Sequence, residues 1–213
     1  MSLEIAVESI IPFCPDVQRR VCIAKANCEE PADSLTCDES AAIYLYTMEW
    51  EPKSECLYAV LNSTLRAEAR HKLKPWFPYL KLLLTALFKM PSHKLVIWRG
   101  VPLDLRASYE VGRQYTWWAF SSCTETISTL ESDQMLGRMG KRTLFHIDCE
   151  KGKKIYPHSN FDLEKEILLL PATQFLVIDH FQPSQADPDL IIITLKEVQP
   201  EISLLDEPDA FAL

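Results

Sequence analysis

Apolar residues recur at helical spacing in three stretches of the first half of the chain. Ala41, Ala42, Leu45 and Met48 follow Thr36-Cys37-Asp38-Glu39, a capping-box sequence in which the threonine hydroxyl and the glutamate carboxylate satisfy each other's free backbone N–H groups. The pattern predicts a helix from there to about Trp50, with Pro52 helping to stop it. Leu57, Val60, Leu61 and Leu65 predict a second helix. Tyr79, Leu80, Leu83, Leu84, Leu87 and Phe88 predict a third, opened by Pro75 and ended by Pro91. From Lys94 the pattern changes to short runs rich in Val, Ile, Phe and Trp between polar, Pro or Gly punctuation. These predict strands at Leu95 to Trp98, Tyr115 to Phe120, Leu144 to Cys149, Ile167 to Leu170, Phe175 to Ile178 and Leu190 to Leu195, with a helix around Leu130 to Met139. Helices followed by strands, rather than alternating with them, imply an α+β fold and not a doubly wound sheet.

At 213 residues the chain is long enough for one domain with a sizeable core. Its formal charge of −8 argues against a phosphate-backbone binder, because nucleic-acid affinity rests on counterion release by Lys and Arg. A basic protein target suits it better. No apolar run is long enough to span a bilayer, and Met1 to Asp16 lacks a basic start ahead of an apolar core. With neither anchor nor signal peptide visible, the default location is the cytoplasm; a longer precursor would change that to secretion. The seven cysteines form no Cys-x-x-Cys pair, and the five histidines no His-x-x-x-His, so reduced thiols are expected and a metal is not.

Three features carry candidate chemistry. Only five glycines occur, none in a Gly-x-Gly-x-x-Gly or phosphate-loop arrangement, so a bound dinucleotide would have to be held by side chains. Arg99, at the end of the strand Leu95 to Trp98 and before Gly100, could clamp a pyrophosphate bidentately; taken alone, it is better read as a solvated arginine before a turn. Glu164 and Glu166, if both lay on a strand, would point to one face roughly 7 Å apart. Such a pair suits chemistry at an anomeric carbon, although by itself it reads more readily as charge protecting a strand edge. Phe120-Ser121-Ser122-Cys123-Thr124 reads as a hydroxyl-rich exit from an aromatic strand. It lacks a Gly-x-Ser-x-Gly elbow, so a serine hydrolase is a weak reading.

Taken together, Trp98-Arg99-Gly100, the Phe120 to Thr124 turn and Glu164-Lys165-Glu166-Ile167-Leu168-Leu169-Leu170-Pro171 resemble, in order and approximate spacing, the arginine-specific mono-ADP-ribosyltransferases shared by animal ectoenzymes and bacterial toxins. Ala42 to Thr47 and Leu57 to Asn62 resemble the animal-type helical half. The resemblance implies a helical half followed by a mixed or antiparallel, sandwich-like β core with an NAD cleft. It sets residues 35–200 apart as the catalytic domain, with 1–34 as an extension and 201–213 as a loose acidic tail.

Carried over residue by residue, the resemblance implies that Arg99 grips the NAD phosphates and the Gly100 backbone meets the nicotinamide amide. Ser122 positions the catalytic Glu166 and the nicotinamide ribose, and Glu164 receives the acceptor guanidinium. Tyr156 to Leu163 resembles the target-recognition loop, with Phe161 as an exposed aromatic. Tyr46 and Trp118 line the NAD pocket, or are helix core and strand core respectively. Cys123 stands where the family's turn has Thr, which is tolerable if that side chain points into the fold. NAD is then the co-substrate, without a metal, and the partner is a protein with an exposed arginine. Two alternatives stay open: an NAD glycohydrolase with water as acceptor, and a non-enzymatic NAD-binding module.

Overall fold

The computed structural model describes residues 1–127, 136, 139–161, 165–185, 187–201 and 205. Glu164 lies outside these residues, as does most of the helix expected around Leu130 to Met139. The chain forms two compact units, one of Met1–Pro91 with residues 155–161 and one of Ser92–Lys154 with residues 165–205.

The first unit is helical: α1 (Leu3–Val7), α2 (Val17–Ala26), α3 (Cys37–Thr47), α4 (Leu57–Arg66) and α5 (Phe77–Lys89). The capping box forms as the sequence implies, with Thr36 accepting from the Glu39 amide and Glu39 accepting from the Thr36 amide. Helix α3 ends at Thr47, earlier than expected, because Met48 is already extended four residues ahead of Pro52. It is buried on nearly every side, through Ala41, Ala42, Ile43, Leu45 and Tyr46, and is the core of the unit. Tyr79 of α5 donates its buried hydroxyl to the Ala42 carbonyl at 2.8 Å. Asp38 accepts from the Leu3 amide at 2.9 Å and pairs with Lys25 at 3.0 Å, tying α1 and α2 to the start of α3. Pro75 does not open α5; it lies in a 3-10 segment, Arg70–Trp76, and Pro78 takes the first-turn position, where a missing N–H costs nothing.

The second unit is one seven-stranded sheet. Its strands are β1 (His93–Val101), β2 (Gln114–Trp117), β3 (Ser121–Thr124), β4 (Arg142–Lys154), β5 (Glu166–Leu169), β6 (Thr173–Phe181) and β7 (Leu190–Val198). The order is β1-β3-β5-β4-β7-β6-β2, and β1 also pairs with β4, so β1, β3, β5 and β4 close into a ring. All pairs are antiparallel except β4 with β7. A register shift near His93 and Leu95 bends the long β4 so that Lys153 and Lys154 can reach β5. Gly152 sits at that closure, and a Cβ there would lie 2.8 Å from the Ile167 side chain. Alternate residues such as Phe145, Ile147, Ile191, Ile193 and Leu195 fill the core, which is the period-2 burial that the strand pattern implied.

Two elements differ from the sequence expectation in ways that shape the site. The aromatic strand stops at Trp117, and the hydroxyl-rich stretch after it is itself β3 rather than a turn. Backbone pairing with β1 and β5 on either side overrides the turn preference of serine and threonine. Similarly, β1 does not turn at Gly100 but continues through it to Val101. There glycine makes room for a neighbour: a Cβ would stand 2.9 Å from Cβ of Leu136.

Candidate active site

Arg99, Ser122 and Glu166 come from β1, β3 and β5, three neighbouring strands of the ring. Thr124 pairs with Glu166 and Ser122 with Leu168, so Ser122 and Glu166 are diagonal neighbours two positions apart and share a face of the sheet. Ser122 Oγ donates to Glu166 Oε1 at 2.5 Å. Arg99 Nη1 donates to the carbonyl of Ser122 at 2.7 Å. The guanidinium thus uses one of its N–H donors, among the described residues, to hold the strand that carries the serine. The structure therefore brings together a cation, a hydroxyl and a carboxylate that the sequence separates widely.

Cys123 alternates to the opposite face and packs into the core with Ile97, Phe145 and Ile167. Burial pushes its thiol up to about 12, with Arg99 lowering and Glu166 raising it further. The residue that departs from the family pattern thus points into the fold.

Strand β5 begins at Glu166, and Lys165 before it has a left-handed backbone with φ 47°; Glu164 lies outside the described residues. Trp118 lies between β2 and β3 and is 42 % exposed, which makes it a surface side chain of the sheet unit rather than strand core. Tyr46 belongs to the helical unit, where it is 3 % exposed and accepts a hydrogen bond from Asn62 Nδ2 at 2.9 Å. Phe161, in the same unit, is half-buried rather than exposed, and its amide donates to Ser159 Oγ at 3.0 Å.

Sequence reasoning missed an ion pair beside the site. Lys154 Nζ lies 2.9 Å from Glu125 Oε1; Lys154 pairs with Ile167 on one side of β5, and Glu125 directly follows Thr124 on the other. No local pattern marks two residues so far apart in sequence.

The donor set is of the kind a dinucleotide requires in a chain without a glycine-rich phosphate loop. A guanidinium can face a pyrophosphate, and a carboxylate held by a hydroxyl can face a ribose. Among the described residues no group of three or more His, Cys, Asp or Glu side chains could hold a metal ion, and no helix is long and apolar enough to cross a membrane.

Comparison with known proteins places these residues in context. Residues 16–202 match the family model described as NAD:arginine ADP-ribosyltransferase. No curated protein sequence matches the chain. Among solved structures, the eukaryotic mono-ADP-ribosyltransferase ART2.2 is similar at a TM-score of 0.71 and 14% identity, covering 95% of this chain and 88% of that one. The ADP-ribosyltransferase HopU1 of Pseudomonas syringae pv. Tomato is similar at a TM-score of 0.62 and 18% identity, covering 91% and 97%. The Vis toxin of Vibrio splendidus gives a TM-score of 0.59 at 20% identity, covering 88% and 85%, and Vis has also been crystallised with agmatine. At these identities the likeness is one of fold, and that fold is the helical region followed by a β core described above.

Proposed function

We propose, on the premise that this chain belongs to the NAD:arginine ADP-ribosyltransferase family, that it transfers ADP-ribose from NAD to the guanidinium of a protein arginine. The chain is an NAD-dependent mono-ADP-ribosyltransferase; the arginine acceptor and the role of each residue are the proposed part. The observation that carries the reading is the Ser122–Glu166 hydrogen bond at 2.5 Å, on a strand that Arg99 holds.

NAD supplies a glycosidic bond between the ribose anomeric carbon and nicotinamide, which breaks as a bond to the acceptor nitrogen forms. Arg99 binds the pyrophosphate, and the Gly100 backbone meets the nicotinamide amide. Glu166 accepts from a ribose hydroxyl and offers negative charge where positive charge develops at the anomeric carbon. Ser122 fixes the rotamer of that carboxylate, so that little reorganisation is left to the reaction. Glu164 takes the acceptor guanidinium and its proton. Trp118 lines the NAD pocket. Residues 156–163, which run directly into Glu164 and Glu166, recognise the acceptor protein, with Phe161 as a contact.

Incubation with labelled NAD and agmatine, a guanidino compound, tests the reading. Label should pass to agmatine, Glu164→Gln should abolish that transfer while NAD hydrolysis partly survives, and Glu166→Ala should abolish both while leaving folding and NAD binding. Free ADP-ribose as the sole product of an active preparation would make the chain an NAD glycohydrolase. Equal loss of both activities in Glu164→Gln would remove the acceptor role from that residue.

A further inference from the structure

His158, in the helical unit, is 1 % exposed and has both ring nitrogens engaged. Nδ1 lies 2.9 Å from Ser40 Oγ, and Nε2 lies 3.1 Å from Asp33 Oδ2. The Asp–His–Ser order is that of a hydrolase with the two ring nitrogens exchanged, and Ser40 is itself 2 % exposed on α3, so its hydroxyl cannot meet a substrate. The arrangement is a fastening. Asp33 and Ser34 are consecutive non-glycine residues with left-handed backbones, φ 54° and 56°, a rare conformation that brings the Asp33 carboxylate to the histidine.

The same segment is tied to α3 at one further point and braced internally at another. Thr47 stands seven residues beyond Ser40 on α3, hence on the same face of the helix. Its hydroxyl accepts from the Asn160 amide at 2.8 Å, and Ser159 Oγ accepts from the Phe161 amide at 3.0 Å. A connection that merely joined two strands would lie at the surface and need no such anchorage.

We propose that His158, held between Ser40 and Asp33, is a positioning residue for acceptor recognition. It fixes residues 158–161 on α3 so that Phe161 is presented in one orientation, and so sets how ADP-ribose divides between a protein acceptor and water. This rests on the reading of residues 156–163 as the acceptor segment.

The test uses the full chain with Ser40→Ala and Asp33→Asn, and Ser40→Thr as the conservative variant that keeps a hydroxyl. Three quantities are read: nicotinamide release in water alone, protein-bound label per nicotinamide released, and hydrogen exchange at the Asn160 and Phe161 amides. For the loss of one hydrogen bond, protein-bound label per turnover should fall about fivefold or more and amide exchange should quicken. Nicotinamide release in water should stay within about twofold, since the anchored segment serves the acceptor and not NAD cleavage. Ser40→Thr should restore both affected quantities. An unchanged partition, unchanged amide exchange, or a parallel fall of nicotinamide release would overturn the proposal. Label on residues other than arginine would overturn only the arginine reading, because the partition between protein and water is defined for any side chain. An inactive wild type would overturn the activity reading, and with it this one.

Discussion

Ser122 Oγ and Glu166 Oε1 meet at 2.5 Å although the two residues are diagonal, not opposite, in the pairing of β3 with β5. The serine therefore aims the carboxylate along the strand instead of across it. Replacing Ser122 by Ala leaves the backbone pairing intact but removes the hydroxyl that holds the Glu166 carboxylate. A hydrogen bond to a charged group is worth about 1.5–3 kcal/mol, so nicotinamide release should fall about 10- to 100-fold with no change in thermal stability beyond a few degrees. Steady-state assays and a melting curve check both halves.

Among the described residues Arg99 donates to the Ser122 carbonyl through Nη1 alone, and a planar fork can serve a ligand beside that bond only if the residue is arginine. Arg99→Lys keeps the charge and loses the fork. The KM for NAD should rise about tenfold, the cost of one charge-assisted hydrogen bond, with kcat changing less. An unchanged KM would remove Arg99 from phosphate binding.

Glu39 couples the cap of α3 to α5 through its 2.6 Å ion pair with Lys89. Burial alone would raise its carboxyl, but the Lys89 ammonium and the Thr36 amide outweigh burial and hold it below the ordinary value of 4.5. A carboxyl lowered in the folded state contributes stability that is fully present above 4.5 and is lost as pH falls through the lowered value. Denaturant titrations of Glu39→Gln should therefore show a loss of about 1–2 kcal/mol at neutral pH, from the damaged cap, and a weaker acid dependence below 4.5. Curves for the two proteins should converge at low pH.

Cysteine chemistry offers a check on the packing. Burial pushes the Cys14 thiol up to about 11 and the Cys123 thiol up to about 12, and both side chains are enclosed, whereas Cys22 is exposed. Brief alkylation of the native protein at pH 8 should label Cys22 and leave Cys14 and Cys123 unmodified until denaturant is added, since only the accessible thiolate reacts. Peptide mass spectrometry reads the positions directly. Early labelling of Cys123 would mean that β3 opens in the native state.

The helices α4 and α5 and most of the strands were legible because their burial follows a single period, and α3, buried on nearly every side, was legible from its capping box. Helix α2 was not read, although Val17, Val21 and Ala24 are its buried residues at helical spacing; three small apolar positions among Arg19, Arg20 and Lys25 give a weak stripe. The order of Arg99, Ser122 and Glu166 was visible as motif, but their meeting was not. It depends on β3 forming from Ser121, Ser122, Cys123 and Thr124, residues whose local preference is for a turn and which extend only because strands bind them on both sides. Likewise the left-handed Lys165, which starts β5 at Glu166, carries no signal in its side chain. The His158 fastening joins residues 125 positions apart and has no local trace at all.

The closed circuit of β1, β3, β5 and β4 has one more consequence. A strand whose neighbours occupy both sides offers no unpaired amides and carbonyls to a second chain, so the segments that bear the chemistry are shielded from edge-to-edge aggregation. Among the described residues strand β2, at the end of the sheet, pairs only with β6 and spans just Gln114–Trp117, with Arg113 before it. Brevity and a flanking charge are how sheet proteins keep such an edge from recruiting partners. The guarded edge thus lies far along the sheet from the strands that do the work.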